Sequence, residues 1–397
     1  MKISFPSISR VFVFLALGVG VFFLISWGLE RAVQSDQAAS EGDTQSVAAN
    51  ASITIETLKE CIGKTEGTGK CLDLLFGPYL KTHSSIEALK LLDQYGEQES
   101  SLEYSCHPVA HSIGRETFLQ KGSINDAFLA CDQTCHSGCY HGSVERFLLG
   151  DKATSDESAH VDIESLKDKT RQACDPNQPT SLRFQCLHGL GHAMVFFSDY
   201  VLKDALVGCD ALEDQWSRSS CYGGAFMENI FASDRTKRDL HPTNFHYPCD
   251  ALGDQYKNDC YMMQTTRMSE MGLGTDKLLV ECRKAGAYRE VCVQSIGRDL
   301  ASGARIGDPK NVANSCALGQ DPLERNACIR GVTYALLDTT WDGQFAFPFC
   351  ESISDEGEQQ YCFEKSREYL QYTFSKSADF LKAECQKYVP ASKVCVE

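Results

Sequence analysis

"CDALEDQWSRSSCYGGAF" at residues 209–226 and "CDALGDQYKNDCYMMQT" at residues 249–265 are two copies of one unit. Each opens on Cys-Asp-Ala-Leu and carries a second cysteine 11 or 12 positions later. The spacing recurs along the chain. Cysteines pair as 61/71, 131/139, 174/186, 209/221, 249/260, 282/292, 316/328, 350/362 and 385/395, always 8 to 12 residues apart. From Cys186 onward the second members return after 35, 39, 32, 36, 34 and 33 residues. A period of that size marks stacked supersecondary units.

The unit is helical. Stretches after the second cysteine, such as "CIRGVTYALLD" at 328–338, have apolar residues at helical spacing. Stretches before the first, such as "DYVLKDALVGC" at 199–209, end a second helix. Few runs alternate as strands do. The expected fold is all-α: disulfide-stapled helix hairpins stacked as an αα solenoid, each bridge closing the connection between two helices. The period is that of tetratricopeptide repeats, but their Trp, Gly and Tyr pattern is missing. Closing loops this short stabilises by up to ~3 kcal/mol each on a chain-entropy basis.

Twenty cysteines, an even number, point to an oxidising compartment. The nine pairs leave Cys106 and Cys135, whose bridge would tie neighbouring repeats. The dense "CDQTCHSGCYH" at 131–141 admits a zinc reading through Cys131, Cys135, Cys139, His136 and His141. A consistent pairing scheme favours disulfides there, and "CDQTCH" has one residue too many for covalent haem.

The N-terminus agrees with export. Lys2 and Arg10 precede an uncharged run from Val11 to Leu29, whose 19 residues at about 1.5 Å each approach a hydrocarbon core of roughly 30 Å. No convincing cleavage site follows, so residues 1–31 read as a cytoplasmic tip and transmembrane signal anchor, a cleaved signal being the alternative. Residues 32–52 are small and polar, a flexible tether. Residues 53–397 form the extracytoplasmic repeat domain, periplasmic or extracellular, with His-bearing repeats at about 100–235 and His-poor repeats at about 236–397. The formal charge of −16 argues against nucleic acid and against an anionic bilayer surface as partners.

Internal comparison of the repeats exposes a column. Aligned without gaps, the segments are "HSIGRETF" at 111, "HGSVERFL" at 141, "HGLGHAMV" at 188, "GGAFMENI" at 223, "QSIGRDLA" at 294 and "RGVTYALL" at 330. The second position is always Ser or Gly, as close helix approach requires. The first position is His in three successive units and then varied, so packing does not demand histidine there. One turn away lie His107, Glu145 and His192. The expected metal ligands are therefore His107, His111, His141, Glu145, His188 and His192, with Glu228 at the same rim. Imidazole and carboxylate donors suit a transition metal such as Zn, Cu or Fe. His83, His160, His241 and His246 fall outside the register. Arg115 and Arg298, equivalent in "SIGRE" and "SIGRD", read as ion-pair residues.

No nucleophile elbow, HExxH, P-loop or dinucleotide motif occurs. Two functions remain. One is a membrane-anchored, metal-binding repeat protein, with Glu145 or Glu228 moving protons if it is an enzyme. The other is a non-catalytic scaffold of the cell envelope that holds a protein partner on its concave face.

Overall fold

The computed structural model describes residues 53–65, 67–150, 174–232 and 235–392. The chain divides into two units at Ser52/Ile53. The expected anchor and tether, His160 and Cys395 lie outside the described residues. Among the described residues no helix is long and apolar enough to cross a membrane.

The described chain is all helix and connection, without strands. It opens with α1 (Ile55–Ile62), α2 (Thr68–Leu80), α3 (Ser85–Gln98), α4 (Ser100–Tyr104), α5 (Cys106–Lys121), α6 (Ile124–Leu129) and α7 (Thr134–Leu149). Next come α8 (Thr180–Phe197), α9 (Leu202–Asp210), α10 (Gln215–Phe231), α11 (Asp254–Glu270) and α12 (Thr275–Lys284). The last are α13 (Arg289–Ile306), α14 (Pro309–Cys316), α15 (Pro322–Thr340), α16 (Ala346–Glu351), α17 (Glu356–Phe374) and α18 (Ala378–Tyr388).

Long helices pack side by side in chain order: α2, α5, α7, α8, α10, α11, α13, α15 and α17. Most of the short helices between them carry the first cysteine of a pair in their last turn. Contacts also join distant parts of the row, α15 to α7 and α17 to α8. Arg305 at the end of α13 reaches Asp93 at 3.8 Å and Glu103 at 3.5 Å. One continuous apolar core runs through the whole row.

Nine bridges are seen: 61–71, 106–135, 131–139, 174–186, 209–221, 249–260, 282–292, 316–328 and 350–362. The pairing scheme holds for all of them, including Cys106–Cys135, and no described cysteine is free. The helix starts differ from the expectation. The second cysteine often sits in the second turn of its helix, because Asp214, Asp321 and Asp355 cap the helix seven residues earlier. Their side chains accept from the backbone N–H of Ser217, Glu324 and Glu358. Each cap is worth about 1 kcal/mol. The bridge therefore clamps the last turn of a short helix to the side of the following long one.

The recurrent small residue brings backbones into contact. A Cβ on Gly142 would lie 1.9 Å from the His111 carbonyl oxygen, and one on Gly114 would lie 2.0 Å from that of Cys139. The same reciprocal pairing joins α8 to α10 through Gly191 and Gly224, and α13 to α15 through Gly297 and Gly331. Three helix pairs are thus locked at close approach. The column is a packing device, and the histidines sit one residue before it.

Candidate metal centre

Four consecutive long helices build the site. His107 and His111 stand one turn apart on α5, His141 on α7, and His192 on α8; α10 adds Glu228. Four ligand nitrogens, one each from His107, His111, His141 and His192, lie within 4.8 Å of one another. His111, His141 and His192 are buried, and His107 is half-buried.

The rings form a tetrahedron. All six centroid separations among the four imidazoles fall between 4.5 and 5.6 Å. Four points about 5.2 Å apart have a common centre about 3.2 Å from each. An imidazole bound to a metal at about 2.0–2.1 Å has its ring centroid at about that distance. Nitrogens on one tetrahedral ion are about 3.4 Å apart, so a pair at the 4.8 Å limit closes by about 1.4 Å on binding.

Each ring has one nitrogen fastened outward and one left for the centre. His107 Nδ1 meets the Cys135 carbonyl at 2.9 Å. His111 Nδ1 meets Glu145 Oε1 at 2.6 Å. His141 Nε2 meets Gln185 Oε1 at 2.8 Å, and His192 Nδ1 meets Glu228 Oε2 at 2.9 Å. That outward bond fixes tautomer and ring orientation, as it does for metal-ligating histidines generally. The remaining nitrogens face inward. His107 Nε2 and His111 Nε2 are 3.0 Å apart. His141 Nδ1 and His192 Nε2 are buried with no partner among the described residues. An orphaned buried polar atom costs about 1–3 kcal/mol, so two of them aimed at one point fit a ligand between them.

A second layer holds the first. Arg115 donates to Glu145 Oε2 at 3.0 Å and to Asp73 of α2 at 2.9 Å, the ion pair expected for it. Burial opposes the Glu145 charge, but His111 and then Arg115 outweigh it and keep the carboxyl below its usual range. Burial raises Glu228 to about 8, helped by the negative charge of Glu145. Burial and neighbouring imidazoles hold His107, His141 and His192 well below 6.5. Those three rings are therefore neutral at pH 7, the form that binds metal.

Two expected ligands stand outside the group of four. Glu145 is engaged by His111 and Arg115. His188 lies beside the tetrahedron, its ring 5.0 Å from that of His141 and 5.2 Å from that of His192. Its Nδ1 is buried and without a partner among the described residues, next to Gly223, and burial lowers the ring to about 4. Glu228 reaches the site through His192. The outlying histidines go elsewhere: His83 stacks on Tyr79, His241 accepts from turn N–H groups, and His246 bonds Tyr261 and Glu281.

Sequence reasoning missed Gln185, Asp73 and the Cys135 carbonyl. Gln185 carried a signal, standing three and seven residues before His188 and His192 on one face of α8. Asp73 carried none. The carbonyl depends on an unusual turn in which Cys135, His136 and Ser137 all have left-handed φ of 54°, 53° and 65°. Such a run is costly for residues with a Cβ. It directs the Cys135 sulfur to Cys106 and its carbonyl to His107.

Compared with known proteins, the chain matches no family model, no curated protein and no solved structure. The side chains themselves carry the functional reading.

Proposed function

We propose that this is an exported αα-solenoid protein, anchored by its N-terminal apolar segment, that binds one transition metal ion through His107, His111, His141 and His192. The observation that carries this reading is the set of four inward nitrogens whose opposite nitrogens are all fastened outward. Glu145, Glu228, Gln185 and the Cys135 carbonyl orient the ligands, and His188 flanks them. The disulfides support an oxidising compartment. The order of long helices, with α15 returning to α7, supports a tightly wound solenoid.

Imidazole donors suit Zn, Cu or Fe. Four protein nitrogens complete a tetrahedral shell and leave no position for water, the pattern of closed structural sites rather than hydrolytic ones. Glu145 and Glu228 are each bonded to a ligand ring. That supports orientation over proton transfer as their role.

The test is metal content by mass spectrometry on the full-length protein from its native compartment, disulfides intact. One equivalent of a transition metal is expected, absent from a folded His111→Ala/His192→Ala variant. In competition with a chromogenic chelator, Glu145→Gln binds the same metal 10–100-fold more weakly. A parent that holds no metal and takes up none of zinc, copper or iron would overturn the reading and favour the scaffold.

A further inference from the structure

Away from the histidines, the carboxylate of Asp338 near the end of α15 has no compensating charge. Among the described residues its one hydrogen bond is from the Tyr369 hydroxyl of α17, at 2.9 Å, and no lysine, arginine or histidine pairs with it. Partial burial raises it to about 7, against the effect of the Tyr369 bond.

Aromatic rings adjoin it on α15 and α17. Tyr334, one turn earlier on α15, stacks on Tyr369 with centroids 4.1 Å apart. Tyr369 meets Phe374 at 5.6 Å, and Phe374 stacks on Trp341 at 5.3 Å. Trp341 ends α15 in the left-handed conformation, φ 57°. Its indole N–H is buried without an acceptor among the described residues. Yet Asp338, Tyr334, Tyr369, Trp341 and Phe374 are all only half-buried, so solvent reaches the group. The cations that act on Tyr334 are engaged elsewhere. Arg330 is held by Gln294 and Glu290, and Lys365 by Glu368.

We infer that Asp338, with Tyr334 and Tyr369, forms a binding site for an organic cation, an alkylammonium or guanidinium group. The carboxylate supplies the countercharge and the two tyrosine rings supply cation–π faces. The ligand can be a free amine or the side chain of a lysine or arginine on a partner. Asp338 lies on different repeats from the histidines and shares no residue with them, so the two sites can fail independently.

The experiment is calorimetric titration of the metal-replete full-length protein with butylammonium, spermidine, and a short peptide bearing one central lysine. Binding is expected at millimolar concentration or below, weakened at least tenfold in Asp338→Asn, which keeps the shape and the acceptor for Tyr369. Tyr334→Leu, which leaves the carboxylate in place, is expected to weaken binding as well. Tighter binding of the peptide assigns the site to a protein side chain, and tighter binding of spermidine to a free amine. Absence of binding by all three probes, or equal binding by parent and both folded variants, would overturn the inference.

Discussion

At His111 the two ring nitrogens have different tasks. Nδ1 is bound to Glu145, which Arg115 and Asp73 hold in turn, and Nε2 is left facing His107. The same division at His141 and His192 leaves buried nitrogens that cannot accept protons cheaply. This sets a pH dependence for the metal-free protein. In the unfolded chain these histidines titrate near 6.5, whereas in the folded chain His107, His141 and His192 titrate well below it and His188 at about 4. As pH falls below 6.5 the unfolded state binds more protons, so stability drops until the folded values are reached. The loss is on the order of 1 kcal/mol per such histidine per pH unit. Melting of the metal-free protein should therefore shift down by several degrees between pH 7.5 and 5.5. A midpoint unchanged over that range would mean that the rings are not held neutral by burial.

Among the helices, the reciprocal glycines decide where the histidines stand. A Cβ on Gly142, Gly224 or Gly331 would lie 1.9 Å from a carbonyl oxygen of the paired helix, so alanine must push the two backbones apart. Gly142→Ala is expected to destabilise by about 1–3 kcal/mol or more. Because the oxygen it strikes belongs to His111, it should also weaken metal binding. Gly331→Ala, at the pair α13/α15, which carries none of the four ligands, should cost similar stability with a smaller loss of metal affinity. Gly303→Ala near the end of α13 is the control, since its Cβ would meet only a Val312 methyl group, at 3.3 Å. Denaturant melts and chelator competition on the three variants separate these outcomes. Equal affinity in Gly142→Ala and Gly331→Ala would disconnect the helix spacing from the site.

Across the whole molecule, the ligands straddle a particular seam. Glycines lock α5 to α7 and α8 to α10, but α7 and α8 are separated by thirty residues of chain, 150–179, and lack a reciprocal glycine pair. His107, His111 and His141 lie on one side of that seam and His192 on the other. A bound ion therefore joins two helix pairs, and an ion present at 100 times its Kd adds about 2.7 kcal/mol to stability. Removing it should raise amide hydrogen exchange in the facing turns of α7 and α8, with α13 and α15 unchanged. A uniform change along the chain, or none, would show that the ion does not act as a cross-link.

The spacing of cysteines along the chain determined eight of the nine observed bridges and the helical unit, because a bridge across 8 to 12 residues is a local matter, and it left Cys106–Cys135 as the remainder. Histidine in three successive repeats marked the right helices for the same reason, since equivalent positions in equivalent units face the same way. The helix starts are written in Asp214, Asp321 and Asp355, whose caps stand two turns before the second cysteines. What the sequence could not decide was which nitrogen goes where. That Glu145 serves His111 on another helix, that His188 stands beside the group, and that Asp73 steadies Arg115 from 42 residues away all depend on the separation and rotation of packed helices. Those are set by backbone contact at glycines and by a left-handed turn at Cys135, His136 and Ser137. Both are products of tertiary packing, in which each helix takes its place only against its neighbours.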